Sequence, residues 1–120
     1  MSNYSAGTRI EYLVRDDLQA KGYHVMRSRG SKGAADLVAV GQGCVLFIQC
    51  KRGNPQIKPY ERAALVRLAD RLPVIGVPVV ACKPLRQGIT YRALTGYGPK
   101  DWLPFEPTVF DMVEAVALDA

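Results

Sequence analysis

A chain of 120 residues is long enough for one compact core and too short for two ordinary domains, so a single domain over 1–120 is expected. Apolar residues make up 48%, yet the longest apolar runs are strand-sized and fall short of the roughly 20 residues that cross a bilayer, so no membrane span is expected. Net charge is +5 and uneven: there are 12 Lys or Arg against 6 Asp or Glu through Arg71, and 4 against 5 from Leu72 onward. A polyanion such as nucleic acid would meet the basic half, although solubility alone also accounts for a charge of this size.

The N-terminus lacks the charged region, apolar core and cleavage site of a secretory signal. Cys44, Cys50 and Cys82 are odd in number and widely spaced, which matches neither a disulfide framework nor a zinc cluster. A reducing, cytoplasmic setting is expected, in the host cytoplasm if the chain is viral.

Residues 5–21 carry Ile10, Leu13, Val14 and Leu18 at helical spacing, and Gly22 supplies a stop. Glu11 lies three residues before Val14 and seven before Leu18, so its side chain leans toward the inward face. Residues 23–27 read as a short strand, 28–33 as a polar loop containing Gly30 and Gly33, and 35–40 as a second strand. Gly41, Gln42 and Gly43 form a hairpin turn into a third strand over 45–51.

A break at Gly53–Pro55 precedes a second helix over 59–72, with Ala64, Leu65, Leu68 and Leu72 apolar and Arg62, Arg67 and Arg71 facing solvent or phosphate. Strands over 77–82 and 89–94 follow, joined by the turn at Pro84–Gly88. Residues 96–107 read as a folded loop with Trp102 and Phe105 as packing or dimer anchors. Thr108 is placed to cap a last helix carrying Val109, Phe110, Val113 and Val116. The order α-β-β-β-α-β-β describes an α/β domain.

Strand alternation points Gln49 and Lys51 to one face with Val45 and Phe47, and Leu46, Ile48 and Cys50 to the other. Asp36 shares its face with Val38 and Val40, and the hairpin returns it toward Gln49–Lys51. Glu11, Asp36, Gln49 and Lys51 therefore converge. Oxygen donors of this kind suit Mg²⁺ or Mn²⁺, and a lysine beside them can orient water or offset charge on a phosphate. Spacing alone fits at least as well with Asp36 capping a strand end, Glu11 half-exposed on a helix and residues 49–52 forming an ordinary strand terminus.

The stretches Gly7–Glu11, Gly22–Ala39 and Leu46–Arg52, with Val77–Ala81 and Tyr91–Arg92, resemble the archaeal-type Holliday junction resolvases of the PD-(D/E)xK nuclease superfamily, up to about residue 95. The resemblance implies a single nuclease domain with a restriction-endonuclease-like mixed central sheet flanked by helices. It also implies a homodimer that binds branched DNA, a four-way junction, and nicks two opposed strands symmetrically. Carried over by residue, Glu11, Asp36 and Gln49 match the family's metal-binding acids, the backbone carbonyl of Cys50 joins them, and Lys51 matches the catalytic lysine. Arg27 and Ser31 fall on positions associated with substrate phosphate and activity. The family's third acid is normally Glu, so Gln49 puts a neutral oxygen where a carboxylate is expected.

Arg29, Lys32, Arg52 and Lys58 are further candidate phosphate contacts, equally compatible with a solvated basic face. Gln56 and Tyr60 have a spacing similar to exonuclease branches of the superfamily; the structural expectation is that Gln56 caps its loop and Tyr60 packs beneath the site. His24 lacks metal-ligand spacing and reads as structural, and residues 30–33 lack a nucleotide-binding pattern. The alternatives to a junction resolvase are a nuclease of this fold acting on other DNA, and a non-catalytic junction-binding protein, which Gln49 keeps open.

Overall fold

Apolar residues at helical spacing wind Ala6–Ala20 into α1, which lays Ile10, Val14 and Leu18 against the sheet. The computed structural model describes residues 6–28 and 33–107. After α1 come β1 (His24–Arg27), β2 (Leu37–Gly41), β3 (Cys44–Arg52), α2 (Pro59–Ala69), β4 (Gly76–Lys83), β5 (Thr90–Leu94) and β6 (Trp102–Phe105). The six strands form one sheet in chain order, with every neighbouring pair antiparallel except the parallel β3 and β4. α2 lies in the crossover between those two strands, as a parallel pair requires.

The helices cover opposite faces of the sheet. Leu37, Ala39, Leu46, Ile48, Val79 and Ala81 pack under α1, while Phe47, Val80 and Leu94 pack with Leu65, Val66 and Ala69 of α2. Alternation along β3 sends Leu46 and Ile48 one way and Val45 and Phe47 the other, as expected from a strand buried on both faces.

The hairpin between β2 and β3 is tighter than the expected three-residue turn. Gly41 pairs with Cys44, leaving a two-residue loop in which Gln42 and Gly43 both have positive φ, 58° and 76°. Such a turn matches the right-handed twist of its strands. Its register pairs Leu37 with Ile48, so the next step brings Asp36 opposite Gln49.

Several sequence expectations need correction. Leu13 is exposed and stands off the α1 core stripe, and Ala64 lies on the open side of α2. α2 ends at Ala69, so Leu72 belongs to the exposed turn that follows. Arg62, expected to face solvent or phosphate, is 2% exposed. Its Nη1 donates to the carbonyls of Gly96 (2.9 Å) and Asp101 (2.7 Å), and its guanidinium lies over Trp102. The segment expected to be a loop contains β6, which pairs with β5; Trp102 packs on the α2 side and Phe105 on the α1 side. The last helix expected from Thr108, with Val109, Phe110, Val113 and Val116, lies outside the described residues. Among the described residues no helix is long and apolar enough to cross a membrane.

Candidate active site

β1 and β2 stop at Arg27 and Leu37, while β3 runs on to Arg52. The C-terminal end of β3 therefore projects past its neighbour, and a cleft of about 470 Å³ opens there. Its lining includes Glu11, Asp36, Gln49, Cys50, Lys51 and, from α2, Tyr60 and Glu61. Glu11 comes from the helix on the opposite sheet face and reaches the cleft where β2 gives out. The four polar residues singled out in the sequence thus line one cleft.

Each is held by a specific partner. The backbone N–H of Cys50 donates to Asp36 Oδ2 at 2.9 Å, while Asp36 N–H donates to the Ile48 carbonyl at 2.8 Å. Arg27 Nε donates to Glu11 Oε1 at 3.1 Å, and its guanidinium lies over the Tyr12 ring. Gln49, 8% exposed, donates from Nε2 to the Ala34 carbonyl at 2.6 Å, tying β3 to the incoming end of the β1–β2 loop. Lys51 Nζ lies 2.7 Å from each carboxylate oxygen of Glu61.

The electrostatics divide the acids into two kinds. Burial raises the Glu11 carboxyl above its ordinary range; the Arg27 hydrogen bond opposes this and the charge of Asp36 adds to it. Burial likewise raises Asp36, against the pull of the Cys50 N–H and the Lys51 charge. Glu61 goes the other way: burial pushes it up, but the Lys51 hydrogen bond and the Lys58 N–H prevail and hold it low. Glu11 and Asp36 are thus both raised, chiefly by burial, while Glu61 is lowered by its partners.

Glu61 was not singled out in the sequence. The available signal was its place in the first turn of α2, two residues after Pro59; nothing local tied it to Lys51. Tyr60, expected to pack beneath the site, is instead 70% exposed on the cleft lining. Gln56 does brace its loop, donating from Nε2 to the Arg52 carbonyl at 3.2 Å. Arg52 and Lys58 are exposed, as is His24 on β1. Arg29, Ser31 and Lys32 lie outside the described residues, although their loop re-enters at Gly33 and Ala34, which line the cleft. Among the described residues no three His, Cys, Asp or Glu side chains gather into a metal-binding group. A cation here would need the amide oxygen of Gln49 or a backbone carbonyl beside Glu11 and Asp36.

Residues 2–95 match the family model described as archaeal Holliday junction resolvase (Hjc). No curated protein matches the chain. The fold is similar to the 1.6 Å structure of Archaeoglobus fulgidus Hjc, a Holliday junction resolvase from an archaeal hyperthermophile. The TM-score is 0.63 at 21% identity, over 82% of this chain and 88% of that one.

Proposed function

Because this chain belongs to the archaeal Holliday junction resolvase family and is a junction-resolving endonuclease, we propose that it cuts DNA in the cleft lined by Glu11, Asp36, Gln49 and Lys51, as a homodimer on a four-way junction. The observation that carries this placement is the meeting of Glu11, Asp36 and Gln49 with a carboxylate-paired Lys51 in one cleft at the projecting end of β3. Family membership favours the resolvase over both alternatives, a nuclease for other DNA and a non-catalytic binder.

The donor set fits a hard divalent cation, Mg²⁺ or Mn²⁺. Glu11, Asp36, the amide oxygen of Gln49 and the Cys50 carbonyl are all oxygen donors. When bound, such an ion would polarise the scissile phosphodiester and ease deprotonation of the attacking water. Asp36 is aimed by the Cys50 N–H and Glu11 by Arg27, so both carboxylates are oriented in advance. Gln49 spends its N–H on Ala34, which leaves its oxygen as the ligating atom. The Lys51 ammonium lies beside them to offset charge growing on the phosphoryl oxygens. In-line attack by water then releases a 3′ hydroxyl.

Around the cleft, Arg27, Arg52 and Lys58 would hold backbone phosphates, joined by Arg29, Ser31 and Lys32 from the loop that re-enters at Gly33. Two symmetric cuts need two sites at a fixed spacing, which is the physical reason for a homodimer. Three free thiols fit a reducing, cytoplasmic setting.

The test is a Mg²⁺-dependent cleavage panel of four-way junction, splayed arm, nicked duplex and linear duplex, with Lys51→Ala as control. Paired nicks on the four-way junction alone are expected. Lys51→Ala should bind the junction normally and cut about 100-fold more slowly or worse. Equal cutting of linear duplex would overturn the substrate assignment, and wild-type cutting by Lys51→Ala would overturn the site.

A further inference from the structure

Glu61 lies outside the set of cation donors, yet it makes the tightest ion pair in the cleft. Both of its oxygens are 2.7 Å from Lys51 Nζ, and the two side chains are only 17% and 21% exposed. Oε1 also accepts the Lys58 N–H at 3.0 Å, which fixes the carboxylate to the first turn of α2. Helix geometry therefore sets where Glu61 stands, and Glu61 sets where the lysine ends.

Lys51 itself has no such restraint. Its four-carbon stem is flexible, and strand parity directs it over the same end of the sheet as Asp36 and Gln49. Its charge is felt by Asp36, as is the opposing charge of Glu61. Without Glu61, the acids left on the cleft lining among the described residues are Asp36 and Glu11. An ammonium settled on either would neutralise a carboxylate that the cation needs. Because Gln49 is neutral, those two carboxylates carry the formal negative charge offered to a cation, so losing one weakens the site's attraction for it.

We propose that Glu61 is a positioning residue of the resolvase reaction: it holds the Lys51 ammonium on the α2 side of the cleft and so keeps Asp36 free for the divalent cation. This rests on the cleft being the cation site. The lysine is thereby near enough to act on the phosphate and barred from competing with the ion beside it. Glu61 contacts neither substrate nor cation; it acts through Lys51.

The test is calorimetric titration of Mn²⁺ into the DNA-free protein, comparing wild type with Glu61→Gln, Lys51→Met, the double variant and Asp36→Asn. Glu61→Gln should weaken Mn²⁺ binding about fivefold, the scale of a partly buried ion pair turned from partner to competitor. Lys51→Met, which removes the competitor without touching α2, should not weaken it. The double variant should recover wild-type affinity, a restoration that a loss of structure at α2 would not produce. In cleavage, Glu61→Gln should lose rate with junction affinity unchanged, and added Mn²⁺ should recover part of the rate. Unchanged Mn²⁺ affinity in Glu61→Gln overturns the proposal. So does weak binding that persists in the double variant, which would make Glu61 a ligand or a structural support. If wild type binds no Mn²⁺, or Asp36→Asn binds it equally well, the cation-site reading itself fails.

Discussion

Gln49 uses the two ends of its amide differently. Its Nε2 donates to the Ala34 carbonyl at 2.6 Å in a position that is 8% exposed, while its oxygen is the atom that the proposed cation site would use. A glutamate at this position strengthens the second task and abolishes the first, because an ionised carboxylate has no proton to donate and repels the carbonyl. In the absence of divalent cation, Gln49→Glu should therefore lose roughly 1–3 kcal/mol of stability. Saturating Mg²⁺ should return much of that loss, since a third carboxylate binds the ion more tightly in the folded state. Thermal melts in EDTA and in Mg²⁺ check this; a variant that melts like wild type in EDTA would show that the Ala34 contact holds nothing. Asp36 makes the complementary case. Its carboxyl is raised in the fold, chiefly by burial, so the folded state binds the proton more tightly than the unfolded chain does. Its contribution is thus fully present below its ordinary value of 3.8 and is lost as pH rises through the raised folded value. Asp36→Asn keeps an acceptor for the Cys50 N–H and removes this loss. At neutral pH the cation-free variant should be more stable than wild type in thermal melts, while cleavage disappears. A less stable variant would mean that the carboxylate is needed for folding. Strand parity made Gln49 and Lys51 legible in the sequence because alternation is local. Glu61 was not legible, because its contact with Lys51 depends on how α2 crosses over β3 and β4.

At the scale of elements, the fold could be read wherever a period or a turn residue announced it. Both described helices, five strands and the hairpin expected at Gly41–Gly43 were of this kind, with errors in their ends, in the length of the turn and in the facing of Leu13, Ala64 and Arg62. β6 was hidden because it is short and contains Pro104, which a strand tolerates only where an N–H is not needed. It lies at the sheet edge, and the alternation of Trp102 and Phe105 between the two cores became visible only with the sheet in place. Arg62 was misread for a related reason: helical spacing marks which side of α2 it lies on, but not that the 96–101 turn folds back over it. With its guanidinium donating to Gly96 and Asp101 carbonyls, Arg62 fastens that turn, and with it β6, to α2. Arg62→Met keeps most of the stem and leaves both carbonyls without this donor. It should cost about 2–4 kcal/mol in denaturant unfolding. The loss should be local at first: hydrogen exchange should accelerate at residues 95–105 while the β3 end that carries the cleft remains protected. Uniform acceleration through β3 would show that β6 and the cleft unfold as one unit.

At the scale of the whole molecule, the turn between α2 and β4 presents aliphatic side chains to solvent. Leu72, Val74 and Ile75, in the turn between α2 and β4, are 36%, 93% and 41% exposed. Three large aliphatic side chains within four residues forgo part of a burial that is ordinarily worth roughly 1.5–3 kcal/mol each when complete, which makes the turn a candidate contact surface. The proposed homodimer gives it a use, since a two-fold contact is made by the same patch on both copies. Val74 is the best probe because it is already almost wholly in solvent, so Val74→Asp should change the stability of the isolated chain by no more than about 0.5 kcal/mol. Placed across a two-fold axis, however, the new carboxylates would face each other in an apolar contact. The variant should sediment as a monomer at concentrations where wild type is a dimer. On a supercoiled plasmid bearing a cruciform it should nick single strands, giving open circles, where wild type makes paired cuts and gives linear product. Because the cleft lies at the end of β3 and not at this turn, each monomer should retain its Mg²⁺ response. A dimeric Val74→Asp with intact paired cutting would move the contact elsewhere on the surface. A monomeric wild type that still cuts in pairs would remove the reason for a homodimer altogether.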